Sequence, residues 1–141
     1  MDRTFAFLCD AAQESGGKLH ALGIGINRIF GAETPVTVAR LVAVTQLQYT
    51  AAEAGPKHLS IRTVDADGGN IIEPQEADIV FPDVHGALRG VANIIVQLER
   101  PQFPSFGPYE ISVAIDGSAI ATLPIEVVRR EAPQQPPQPS S

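Results

Sequence analysis

With 141 residues, 44% of them hydrophobic, the chain is long enough for one domain with a substantial core. Sixteen acidic residues against ten basic give a net charge of −6, and Lys18 and Lys57 are the only lysines, which argues against nucleic acid as a partner. A single cysteine, Cys9, cannot form an internal disulfide, and no apolar run approaches the ~18 residues of a membrane helix, so a cytoplasmic protein with no membrane contact is expected.

In chain order, Thr4–Cys9 alternates as a strand with Phe5, Phe7 and Cys9 on one face. Residues 10–14 allow at most one helical turn. Ser15-Gly16-Gly17 reads as a turn, followed by a strand over Leu19–Ile26 that sets His20, Leu22, Ile24 and Ile26 on its core face. On this reading His20 is a core histidine. A break from Gly31 to Pro35 leads into a long strand, Val36–Tyr49, apolar on both faces around Leu41–Val44 and alternating through Thr45, Leu47 and Tyr49. Leu59, Ile61 and Thr63 mark a fourth strand, Ala77, Ile79 and Phe81 a short fifth, and Ile94, Val96 and Leu98 a sixth.

The clearest signal lies in Pro108–Val128. Tyr109, Ile111, Val113 and Ile115 alternate on the first arm of a hairpin, and Ala119, Ala121, Leu123, Ile125 and Val127 on the second. A three-residue turn at Asp116-Gly117-Ser118 pairs Ile111 with Leu123 and Val113 with Ala121, which places the apolar set on one face. Tyr109 follows Gly107-Pro108 at the strand start, where its hydroxyl is placed to tie down the preceding loop as a tyrosine corner. Short strands at steady intervals, with twelve Gly and twelve Pro as punctuation, predict an all-β fold. The expected form is a two-sheet antiparallel sandwich, immunoglobulin-like with Greek-key connections, of seven to eight strands. The domain is read as residues 1–130, and 131–141 as a Pro/Gln/Ser-rich disordered tail.

Several stretches imitate sites without completing them. Gly17-Lys18 stands at the end of a phosphate-loop spacing, yet Leu19 and a strand follow in place of Ser or Thr and a helix. Asp65 to Glu76 has the span of a calcium loop but carries Asn70 where the turn needs glycine, so an Asp-Gly-Gly turn is the better account. No nucleophile–base set is visible, Cys9 reads as a buried small hydrophobe, and no cofactor is implied. If strands alternate up and down, Asp10, Glu53, Asp83, His85 and Asp116 fall in loops at one end, where carboxylates can hold a metal ion or a small ligand. The loop Pro101 to Pro108 offers Phe103 and Phe106 as interface anchors.

Phe5-Ala-Phe-Leu-Cys-Asp10, Gly17-Lys-Leu19, Leu22-Gly23, Arg28-Ile-Phe30, Val64-Asp-Ala-Asp-Gly68 and Gly107-x-Tyr109 together resemble a family of short, uncharacterised bacterial β-sandwich proteins, a domain of unknown function, over residues 4–128. Ile26 and Asn27 stand where that family often has an aromatic and an acidic residue. The resemblance implies the fold and no activity. The function expected is a non-enzymatic protein-binding or assembly module, acting on a protein partner or by self-association through a sheet edge. The alternatives are a metal- or small-ligand-binding sandwich using Asp10, Asp83 and Asp116, and an enzyme whose residues converge from separate loops.

Overall fold

A computed structural model of the chain describes residues 1–130, so the expected tail at 131–141 lies outside the described residues. Twelve strands form four sheets, with no α-helix among the described residues. One sheet has three strands: β1 (Asp2–Cys9), β6 (Arg40–Tyr49) and β9 (Gly90–Glu99), in the order β1-β6-β9. The largest has five, in the order β4-β12-β11-β7-β8. Its members are β4 (Arg28–Gly31), β7 (Gly55–Asp65), β8 (Gln75–Phe81), β11 (Gly107–Ile115) and β12 (Ser118–Arg129). Two small pairs complete the fold, β2 (Ala11–Ser15) with β3 (Lys18–Leu22), and β5 (Val36–Thr37) with β10 (Gln102–Phe103).

One core joins the two larger sheets. Leu8, Leu41, Ala43, Leu47, Tyr49, Ile94 and Leu98 from the first meet Leu59, Ile61, Phe81 and the odd-numbered apolar residues Tyr109 to Ile115 and Ala121 to Val127 from the second. The expected period of two is what builds it. A smaller cluster lies on the opposite face of the three-stranded sheet, where Cys9, Val42 and Val44 are buried beneath the β2–β3 hairpin with Phe5, Phe7, Leu19, Ala21 and Ile95. This explains why β6 is apolar on both faces around Leu41–Val44: one face meets the main core and the other lies under the hairpin.

Four expectations are corrected. Residues 10–14 are not a helical turn but run into β2, closed to β3 by Gly16 and Gly17, whose φ values of +59° and +74° favour glycine. The strand read as Leu19–Ile26 ends at Leu22 and shows its other phase to the protein: Leu19 and Ala21 are half-buried, whereas His20 is exposed and Leu22 and Ile24 are 72% and 61% exposed. Residues 28–30, assigned to no strand, together with Gly31 at the start of the expected break, form β4, which runs parallel to β12, so the sheet is mixed. The hairpin turn has two residues, Asp116 and Gly117, both at positive φ, with an irregularity after Val113 that leaves Ile120 as an extra residue. A two-residue turn plus a one-residue bulge restores the same register, so Val113 still faces Ala121 and Ile111 faces Leu123.

Pro124 lies inside β12 without disrupting it. Glu126 N–H donates to Asn27 O on the β4 side at 3.0 Å, so by the strand period the Pro124 nitrogen faces that side too, where β4 has not yet begun.

Candidate interaction edge

The sequence-predicted residues lie apart from one another. Asp10 follows β1, its main-chain oxygen accepting from Arg40 Nε at 3.1 Å. Glu53 sits at the other end of β1, accepting from the Met1 ammonium at 2.6 Å and from Thr50 N–H at 3.0 Å, and these contacts pull its carboxyl pKa down to about 2. Asp116 caps the neighbouring strand, its Oδ1 accepting from His58 N–H at 2.8 Å. Asp83 and His85 are exposed in the connection before β9. Among the described residues no three His, Cys, Asp or Glu side chains gather as metal ligands. The reading of one acidic end is corrected for Asp10. Glu53, Asp83, His85 and Asp116 share the end where β6, β8 and β11 finish and β7 and β9 begin. Asp10 lies at the opposite end, where β6 begins and β9 finishes, because the β2–β3 hairpin and the parallel β4 change the parity after it.

The remaining motifs are also absorbed by structure. Asp65 Oδ1 accepts from Asp67 N–H at 2.9 Å and Gly69 N–H at 3.0 Å, so the carboxylate closes its own turn. Cys9 is fully buried, and burial first, then the Asp10 charge, pushes its thiol pKa up. His58 lies in β7, its ring between Asp78 Oδ1 at 3.2 Å and Glu76 Oε1 at 3.4 Å, and the hydrogen bonds to Asp78 and then Glu76 raise its pKa.

The aromatic loop divides in the same way. Phe103 is fully buried, packed edge-on against Tyr109 with centroids 5.0 Å apart, so it plugs the core and is withdrawn as an interface anchor. Phe106 remains 36% exposed. The Tyr109 hydroxyl donates to Ser105 O at 2.8 Å and accepts from Ser105 N–H at 3.2 Å, tying down the loop as the sequence implied.

What the sequence did not reveal is the open side of the molecule. β8 and β9 are the outer strands of their respective sheets, and between them runs a cleft of about 340 Å³. Leu59, Ile79, Phe81, Ala92 and Ile94 line it, with Val80, Val91 and Glu14 at its rim. Phe81 is held by stacking on Tyr49, with ring centroids 4.6 Å apart, and the Tyr49 hydroxyl donates to Pro82 O at 2.6 Å. Gly90 is required here because a Cβ would overlap the Tyr49 ring. A broader depression of about 690 Å³ lies on the β2–β3 hairpin, shaped by Gln13, His20, Leu22 and Arg40.

Outer strands invite pairing with another chain unless something blunts them. β1 has Asp2, Arg3 and an irregular register before Phe5, and its Leu8 O is taken by Gly25 and Ile26 N–H groups at 2.9 and 3.2 Å. β4 is four residues long. β8 carries Glu76 and Asp78. β9 has none of these devices of its own: from Gly90 to Leu98 it is uncharged, its ladder to β6 is regular throughout, and its other side is unpaired, with Glu14 of β2 the one charged side chain beside the cleft.

A sequence model for a family of unknown function, DUF6941, matches residues 4–128, from the third residue of β1 to the penultimate residue of β12. The chain belongs to that family. The match takes in β9, the cleft and both small strand pairs, so the edge is part of the DUF6941 domain. No curated protein matches the sequence. No helix among the described residues is long and apolar enough to cross a membrane.

Proposed function

We propose that this DUF6941 chain is a non-enzymatic assembly module that takes up a protein partner by pairing a strand to β9. One observation carries the reading: β9 is ten residues long, carries no charge before its last residue, Glu99, and lacks the irregularity or engaged main chain found on β1. Pairing along an edge satisfies main-chain donors and acceptors in register, and side chains of alternate residues supply the selection. The cleft beside the edge offers Ile79, Phe81 and Ile94 as an apolar floor for such side chains. We read the module as cytoplasmic, with the lone Cys9 buried as a small hydrophobe.

We infer in addition an immunoglobulin-like sandwich as the architecture. The order β1-β6-β9 against β4-β12-β11-β7-β8 supports it, as do the parallel β4–β12 edge and the Tyr109 hydroxyl at the start of β11. In that reading the strand that ordinarily flanks β9 is missing, which is why its edge is open.

The test is to isolate tagged full-length chain from its native cells. A native assembly retained by the wild type and by Thr122→Lys, on the outer face of β12, but lost with Val91→Lys on the β9 edge supports the reading. Equal retention by Val91→Lys contradicts it.

A further inference from the structure

We propose that the occupant of the β9 edge is β9 of a second copy of this chain, paired antiparallel about a two-fold axis at Ile94. The inference rests on the edge reading above and adds the partner and the register. In an antiparallel self-pair, the numbers of opposed residues share a constant sum. The sum must be even, because Ala92, Ile94, Val96 and Leu98 face the core and have to meet their counterparts on the same face of the joined sheet.

Charge selects among the even registers. The strand is uncharged from Gly90 to Leu98 but is bounded by Arg89 and Glu99, both exposed. With the axis at Ile94, Arg89 of each copy stands opposite Glu99 of the other, twice by symmetry. Val91 then meets Gln97, and Asn93 meets Ile95. Moving the axis to Ile95 sets Arg89 against Pro101 and Val91 against Glu99. Moving it to Asn93 sets Arg89 against Gln97 and Glu99 against Ala87. Only the first register forms both ion pairs and keeps every apolar residue opposite an uncharged one.

The end groups are free to make these contacts. Glu99 is in no ion pair among the described residues. Arg89 Nη1 meets Asp2 Oδ2 at 2.6 Å, and the guanidinium has further donors for a second carboxylate. Val91, 53% exposed in the single chain, becomes covered. β8 does not join in, since Glu76 and Asp78 would repel their copies. The product is one six-stranded sheet, β1-β6-β9 continued through the second copy in reverse order.

The experiment is sedimentation equilibrium on the purified full-length chain, mass 15.0 kDa. The wild type is expected to associate to twice that mass. Arg89→Glu and Glu99→Arg should each weaken association about tenfold, since either change turns two attractive contacts into two repulsive ones. The double variant should recover most of the loss, and Val91→Lys should be monomeric yet fold cooperatively, with the melting profile of wild type diluted to its monomer. A wild type that stays monomeric at high micromolar concentration overturns the inference, and so does a dimer indifferent to Val91→Lys and both charge reversals. A monomeric purified chain whose native assembly still depends on Val91 sinks the self-pairing alone. An assembly indifferent to Val91 sinks the edge reading as well.

Discussion

Replacing Tyr109 by Phe removes one oxygen and leaves the ring, which isolates the tie between β11 and the loop before it. Tyr109 is 3% exposed, and its hydroxyl makes three contacts with one residue: it donates to Ser105 O at 2.8 Å, accepts from Ser105 N–H at 3.2 Å, and pairs with Ser105 Oγ at 3.0 Å. A net hydrogen bond contributes about 1 kcal/mol, and a buried group left unpaired costs roughly 1–3 kcal/mol. Ser105 itself is exposed, so water replaces part of what the hydroxyl supplied. The expected loss is therefore about 1–2 kcal/mol, below the sum of three bonds. Urea unfolding at an unchanged slope should give that value, with a fall in Tm of about 3–6 °C for a domain of this size. Phe103→Ala, which empties a fully buried site against the same ring, should cost more, about 3–5 kcal/mol. A Tyr109→Phe loss under a few tenths of a kcal/mol would refute the argument that the hydroxyl holds the loop.

Other predictions follow from single positions. Gly90→Ala forces a Cβ into the Tyr49 ring, which is buried against Phe81, and should destabilise by about 1–3 kcal/mol in thermal or urea melts; Gly86→Ala, with open space around it but φ +83°, should lose only the smaller conformational cost. His58 should titrate above 6.5 by NMR, and Asp78→Asn should lower that value more than Glu76→Gln does. Because the folded pKa is raised, the contribution of this pair to stability is fully present below pH 6.5 and fades as pH rises through the folded value. Glu53 should titrate near 2, with its contribution present above about 4.5 and lost as pH falls toward 2; acetylating the Met1 amine should raise its pKa.

Much of the fold is legible in the sequence because apolar alternation reports directly on which face is buried. Tyr109 to Ile115 and Ala121 to Val127 at their odd positions, and Thr45, Leu47 and Tyr49 of β6, follow that rule, whereas Ala119, expected on the same face, is exposed. The turn at Asp116 was misread because a three-residue loop and a two-residue turn with a bulge give the same register two pairs further on. The β3 face was misread because both phases of Leu19–Ile26 are apolar, and the more apolar one points outward. What decides the matter is that Phe5, Phe7 and Val42 leave an apolar surface on the outer side of the first sheet, a fact of tertiary structure. The candidate site was invisible for a related reason. Ile94, Val96 and Leu98 announce a strand, but nothing local says that it has only one neighbour.

The central claim is that β9 is a contact edge in the cell, and a photo-crosslinking side chain placed at Val91 tests it most directly. Irradiation of cells carrying the full-length chain should give one discrete adduct, twice the mass of the chain if the occupant is a second copy, while the same probe at Thr122 gives none. No adduct at Val91, or adducts equally at both positions, would contradict the account.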